Sequence, residues 1–340
     1  MADKDLRLNN YDLLRILAAI QVVISHGFHH LGLDKSSLFF RLIEYFPGVP
    51  VFFTISGFLI SASFEKNPEL KNYFTNRALR IFPGLWVCIL FSILTSAIVG
   101  HVNFLNPVTL PWLIGQFSFV QFFNPDFLRG YGTGVLNGSL WTITVELQFY
   151  ILLPLLYLVM NRIKSGNIFI WFMLAIFFAL AVVLDSLPFT ETQNKFLAVT
   201  FLPHYYMFLA GMLLQRLNVF SSHFISGQGI FWMLLFLLYC VFVPDFGMKP
   251  FIGKLILAVL TIAVAYTLPG LSKKILKGND WSYGTYIYHM PVMNIIVEKG
   301  MTGNYLVFIY ALLATLTLAG LSWKRVEEKF IRMKKKSLLK

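Results

Sequence analysis

The sequence predicts an all-α, polytopic membrane protein with about ten transmembrane helices and both termini in the cytoplasm. Three observations predict it. The 340 residues are 57% hydrophobic and only 13% charged, against roughly 25% charged in soluble domains. Apolar runs of about 17 to 22 residues recur along the whole length, long enough to cross a hydrocarbon core about 30 Å thick. A transmembrane barrel would show short alternating strands instead. Finally, with the N-terminus placed inside, cytoplasmic segments hold about twenty Lys and Arg and outer loops about seven, the bias that orients helical membrane proteins.

The same bias accounts for the charge. Twenty-eight Lys and Arg less sixteen Asp and Glu leave +12, but these cations sit in loops and at the tail, so no nucleic-acid partner is expected. Cys88 and Cys240 both lie in apolar runs; they form neither a disulfide framework nor a metal pattern, and no metal is predicted. The start, MADKDLRLNNYDLLR, lacks a signal-peptide cleavage pattern, so the first span is expected to stay and orient the chain. No internal repeat is evident. Residues 1–340 read as one membrane-embedded domain with a basic cytoplasmic tail at 324–340 and no soluble accessory domain.

In chain order, the spans are read at 11–31, 45–64, 80–100, 140–160, 168–187, 197–216, 229–245, 252–270, 281–298 and 304–323. The first holds Asp12, Arg15 and His26. Ionisable groups in a bilayer are costly, so they usually face a polar cavity and mark a working site. Arg15 and His26 lie roughly 16 Å apart on nearly one face of this helix. The alternative for His26 is a ring satisfied by a neighbouring carbonyl and present for packing alone. His29 and His30, one turn further out, are expected to be solvated.

The second span, GVPVFFTISGFLI, carries Gly48, Ser56 and Gly57, small residues that allow close helix approach. Arg77 and Arg80, in YFTNRALRIFPG, stand three apart at the inner end of the third helix, on one face. Guanidinium binds phosphate by paired hydrogen bonds. With Arg15 they would form a cationic pocket for a phosphorylated ligand; positive-inside anchoring with carboxylate pairing is the plainer reading. The loop from His101 to Asn137 is placed outside. Its apolar piece, LPWLIGQFSFVQFF, is too short to span comfortably and would lie in the interface or contribute to a pocket. GYGTGVLNGS, which follows, reads as flexible.

The fourth span places Glu146 among Trp141, Thr142, Gln148 and Tyr150. Counted along their helices, His26 lies roughly 22 Å from the inner side and Glu146 roughly 10 Å below the outer surface. Both then fall at similar depth in the outer half of the core, where two proton-handling groups could serve general acid–base chemistry. Glu146 could orient His26, act as acid or base, or pair an arginine. The sixth span carries His204 and Tyr205 just after Pro203, and neither a role nor packing is favoured for them. The ninth, WSYGTYIYHMP, carries Ser282, Tyr283, Tyr286 and His289, the last about 12 Å in from the cytoplasmic side; function and packing are equally open for it. Asp12, Trp141, Tyr150 and His289 complete the candidate substrate pocket. The tail after the tenth span supplies Lys324, Arg325, Lys329, Arg332, Lys334, Lys335, Lys336 and Lys340, an anchor for anionic lipid. No Walker loop, HExxH or GxSxG motif supports ATP hydrolysis, zinc proteolysis or an elbow-type serine hydrolase.

These pieces, in this order, resemble the acyltransferase 3 family of integral membrane acyltransferases. LRILAAIQVVISH carries the family's Arg-x10-His arrangement on Arg15 and His26. FPGVPVFFTISGFLI, FTNRALRIFPGLW and GSLWTITVELQFYILLP follow, then WSYGTYIYHMP and WKRVEEKF. One departure is Pro50, where many relatives carry Asp; proline occurs there in some exopolysaccharide-type relatives. The resemblance implies transfer of an acyl group, most often acetyl, from cytoplasmic acetyl-CoA to a carbohydrate hydroxyl. Acceptors include lipopolysaccharide O-antigen, exopolysaccharide, capsule and peptidoglycan, free or lipid-linked. It places the catalytic histidine on His26, the glutamate on Glu146 and the donor-binding arginines on Arg15, Arg77 and Arg80, in the bacterial inner membrane. Two other classes compete: a proton-coupled transporter or channel relaying through His26 and Glu146, and a non-catalytic component of a glycan-assembly complex.

Overall fold

The structure, a computed structural model, describes residues 9–337 and is all-helical over them, with no strand. Of the expected basic tail, Lys340 and the side chains of Lys334, Lys335 and Lys336 lie outside the described residues, as do residues 1–8.

The principal helices are α1 (Tyr11–His30), α2 (Leu38–Glu44), α3 (Gly48–Lys66), α4 (Leu70–Ile98), α5 (Thr109–Phe117), α6 (Trp141–Met160) and α7 (Gly166–Ser186). They continue with α8 (Glu191–Ala198), α9 (Tyr205–Arg216), α10 (Gly229–Phe242), α11 (Lys249–Ala265), α12 (Leu271–Leu276), α13 (Ser282–Glu298), α14 (Tyr305–Ser322) and α15 (Glu328–Ser337). Six helical segments among the described residues are long and apolar enough to cross a bilayer: Tyr11–His30, Leu38–Lys66, Leu70–Ile98, Trp141–Met160, Gly166–Ser186 and Tyr305–Met333. The other four predicted spans hold shorter helices: α9 of 12 residues, α10 of 14, and α11 and α13 of 17 each.

Some boundaries differ from the sequence reading, each for a local reason. The span expected at 197–216 is broken: α8 ends at Ala198 and α9 begins only at Tyr205. Pro203 lies in the gap, and proline removes an N–H and disfavours helix in the residue before it. The third helix begins at Leu70 rather than 80, so Arg77 and Arg80 lie in its second and third turns. The last span does not end at 323. A π-turn at Trp323–Glu327 carries it into α15.

The chain forms two compact units. The first gathers residues 9–18, Tyr45–Tyr73 and Val145–Gly278. Its centre is the packing of α3 on α9. A Cβ built on Gly57 would run into the Phe208 carbonyl, and one on Gly211 into that of Thr54. The two backbones therefore touch where each helix carries no side chain, the small-residue packing expected of Gly57. Tyr11, Phe58, Phe220 and Tyr266 form an aromatic cluster beside them. Asn10 fastens the start of α1 to the end of α11: its N–H donates to Ala265 O (2.8 Å) and its amide to Thr267 O (2.8 Å).

The second unit gathers Ala19–Glu44, Phe74–Thr144 and residues 279–337. The C-terminal half of α1 packs on α13 and α14 through Val23, Ile24, Phe28, Val292, Met293, Ile296 and Phe308. Alongside runs the Gly-rich stretch, which is not loose, contrary to expectation. Glu298 accepts from Gly132 N–H (2.9 Å), and the Asn294 carbonyl accepts from Thr133 N–H (3.0 Å) and hydroxyl (2.8 Å). The Asn294 amide donates to Val135 O and Leu136 O, both 2.9 Å. Asn137 then donates to Ile287 O (2.8 Å). Glycine is required at 132, where φ is +52° and a Cβ would meet Asn294 at 2.7 Å. The stretch is a strap laid along α13, held by backbone-directed hydrogen bonds that composition does not announce.

A proline makes the strap's inner anchor possible. Pro291 has no N–H to return to Ile287 O four residues earlier. That carbonyl is buried and needs other donors; it takes Asn137 Nδ2 and Cys88 Sγ (3.2 Å). The first unit repeats the device. Pro154 frees Tyr150 O, which accepts from the Tyr73 hydroxyl at 3.0 Å.

Candidate active site

His26 lies in the fifth turn of α1, held inward by the packing of Val23, Ile24 and Phe28 on α13 and α14. It is partly buried, and its Nδ1 is 2.9 Å from Nε2 of His289. The rings are 5.0 Å apart and tilted by 42°. His289 is fully buried, with Nδ1 2.6 Å from Tyr286 O. The Tyr286 hydroxyl in turn pairs with Thr142 Oγ1 at 2.8 Å. His289 is thus joined directly to the histidine that the sequence singled out.

That contact corrects the depths counted along each helix, which put the two histidines roughly 10 Å apart in level. Such counting assumes that every helix starts at the membrane face. Asp280, two residues before α13, is ion-paired with Arg80 of α4 at 2.5 Å, so the levels of these helices are set by their contacts with one another and not by where each one starts.

His29 and His30 differ from one another. His29 is exposed and shares a 2.9 Å contact with Lys35, as expected of a solvated group. His30 is half-buried and stands edge-on to His26, ring centroids 5.9 Å apart, because a helix brings residues four apart together.

In the first unit, Glu146 has partners on two helices. Its carboxylate accepts from the Ser56 hydroxyl of α3 (3.0 Å) and, in a very short bond, from the Tyr150 hydroxyl one turn on along α6. Tyr150 is buried, so the expected neighbourhood of Glu146 and Tyr150 forms, and Ser56 joins it. Trp141, at the start of α6, is partly buried.

The arginines are placed as follows. Arg15 pairs with Asp12 at 3.3 Å within the first turns of α1; their side chains are 23% and 52% exposed. Arg77 and Arg80 are both partly exposed on α4. Arg80 Nη2 meets Asp280 Oδ2 at 2.5 Å. The other Asp280 oxygen accepts from the Ser282 hydroxyl (2.5 Å) and N–H (3.2 Å), closing a turn at the start of α13. The Arg80 guanidinium is thereby oriented by a carboxylate that is itself fixed.

Two acidic residues here escaped the sequence reading. Asp280 carried a signal: an Asp whose side chain can take the N–H two residues on marks a turn before a helix. Glu327 carried none. The π-turn rotates it out of the basic face of the tail, and it is buried with Oε1 accepting from Ser322 (2.7 Å). An extra residue in a turn cannot be seen in a 3.6-residue pattern.

Comparison with known proteins identifies the family. The family model described as acyltransferase domain, acyltransferase 3, matches residues 8–324. The chain is 32% identical to nodulation protein 10 of Rhizobium leguminosarum bv. viciae, over 96% of this chain and 94% of that one. It is 26% identical to the O-acetyl transferase of Shigella phage Sf6, over 95% and 96% of the two chains. It is also 26% identical to the peptidoglycan O-acetyltransferase OatA of Listeria monocytogenes, over 93% of this chain and 54% of that protein. No solved structure matches. With helices long and apolar enough to cross a membrane and a family match across nearly its whole length, the chain belongs to the acyltransferase 3 family and is an integral membrane acyltransferase.

Proposed function

We propose that this enzyme transfers an acetyl group from cytoplasmic acetyl-CoA to a hydroxyl of a cell-surface carbohydrate, free or lipid-linked, in the bacterial inner membrane. The observation that carries the chemistry is His26 paired at 2.9 Å with a wholly buried second histidine. The names of three relatives (a nodulation protein and two O-acetyltransferases, one acting on peptidoglycan) support the acyl group and the acceptor class.

His26 is the general base in this reading. It takes the proton of the acceptor hydroxyl as the oxygen attacks the thioester carbonyl carbon. The carbon–sulfur bond breaks, and the same proton passes to the CoA thiolate, so the histidine ends as it began. Arg80, Arg77 and Arg15 bind phosphate groups of the donor; Arg80, aimed by Asp280, is the best oriented of them. Glu146, held by Ser56 and Tyr150, receives the acceptor. Asp12 and Trp141 are assigned to substrate binding in the same reading. Residues 1–340 act as a single membrane-embedded transferase domain, with acetyl-CoA as the only co-substrate and no metal.

The test is release of free CoA from acetyl-CoA by purified enzyme with a crude glycan acceptor. Wild type should release CoA, and His26→Ala at matched folding should lose about 10²–10⁴-fold in rate. A mutant as fast as wild type would remove His26 from the chemistry. Exchange of labelled CoA into acetyl-CoA without acceptor would convert the base into a nucleophile, since exchange requires an acyl-enzyme.

A further inference from the structure

Two neighbouring imidazoles can share a hydrogen bond in either direction, but here a third group decides. His289 Nδ1 stands 2.6 Å from the carbonyl oxygen of Tyr286. A carbonyl only accepts, so Nδ1 carries a hydrogen. In the neutral ring, Nε2 then carries the lone pair. That nitrogen faces His26 Nδ1 at 2.9 Å, so the hydrogen between the rings belongs to His26 Nδ1. A neutral His26 is left with its lone pair on Nε2. With both rings neutral, no other arrangement satisfies both bonds, because any alternative sets two lone pairs against one another.

The chain of bonds begins in local backbone geometry. His289 and Tyr286 lie three apart on α13, so a bond from the side chain back to that carbonyl is built into the helix. Ser139 Oγ, at the end of the strap, lies 3.3 Å from that carbonyl while donating its hydrogen to Asn137 Oδ1 at 2.7 Å. Met290 and Met293, next along α13, are buried. The His289 ring is thus fixed by elements that do not depend on His26.

We infer that His289 is a positioning residue: through the Tyr286 carbonyl it holds His26 as the Nδ1–H tautomer, making Nε2 of His26 the atom that takes the hydroxyl proton. The inference rests on the acyl-transfer reading above. When Nε2 accepts the proton, His26 becomes an imidazolium whose Nδ1–H still donates to His289 Nε2, and the Tyr286 carbonyl dipole stands behind the pair. When the thiolate takes the proton from Nε2, both rings return to their starting tautomers. No proton is gained or lost by the pair over the cycle.

Two measurements test this. Nitrogen-15 histidine spectra of the full-length wild type in lipid nanodiscs, with His26→Asn identifying the His26 signals, should show hydrogen on Nδ1 and a bare Nε2. Hydrogen on Nε2 instead would overturn the inference whatever the activity. In turnover, His289→Phe should lower kcat about 10²–10⁴-fold, as loss of the correct tautomer does in other histidine-based enzymes, while KM for acetyl-CoA stays within about twofold. His289→Gln, whose amide oxygen can accept the Nδ1 hydrogen, should recover at least about tenfold of that loss. Wild-type kcat in a folded His289→Phe would sink the role. A wild type that transfers no acetyl group yet shows the Nδ1–H spectrum would instead defeat the acyl-transfer reading and leave the tautomer standing.

Discussion

Arg80 brings its counter-charge with it. A guanidinium in a membrane helix needs a partner, and Asp280 supplies one at 2.5 Å while also accepting from the first N–H of α13. The ion pair and the donor-binding role are compatible, since a guanidinium has five donors and one carboxylate does not use them all. Asp280→Asn is expected to lower stability by about 1.5–3 kcal/mol and to raise KM for acetyl-CoA, because the guanidinium is no longer aimed. Thermal unfolding in detergent together with donor kinetics checks both; an unchanged melting temperature would mean that the pair contributes nothing. Of these residues, Arg80 was legible because a basic residue beside an apolar run stands out. Its partner was not, being 200 positions away.

At the scale of elements, prolines create acceptors rather than only kinks. Pro291 leaves Ile287 O to the strap, and Pro154 leaves Tyr150 O to Tyr73. Pro291→Ala would restore an N–H that competes with Asn137 for the Ile287 carbonyl. The expected result is faster amide hydrogen exchange over residues 130–139 with α13 still helical. Exchange unchanged there would show that the strap is held from its outer end alone, by Glu298 and Asn294. The strap also shows where pattern reading ends. Its glycines read as flexibility, but Gly132 marks close approach to α13. Gly57 makes the same point from the other side: it reads as packing, and its backbone does meet that of α9 there.

At the scale of the molecule, the charge distribution proposes that both ends lie in the cytoplasm. Alkaline phosphatase, which matures only outside the cytoplasm, should be inactive when fused to either end. An active C-terminal fusion would imply an odd number of crossings and overturn the topology. The sequence by itself determined the solvent of this protein, its helical class and most helix positions, because a bilayer admits long apolar helices and little else. It also marked His26, Glu146 and the arginines, since each is costly where it stands. Tertiary structure alone decided which of them meet: His26 with His289, Arg80 with Asp280, Glu146 with Ser56. It decided too that the Gly-rich stretch is fastened. Composition and periodicity report one helix at a time, whereas hydrogen bonds between helices depend on the level and rotation of each relative to the other, and those are set only when the side chains pack.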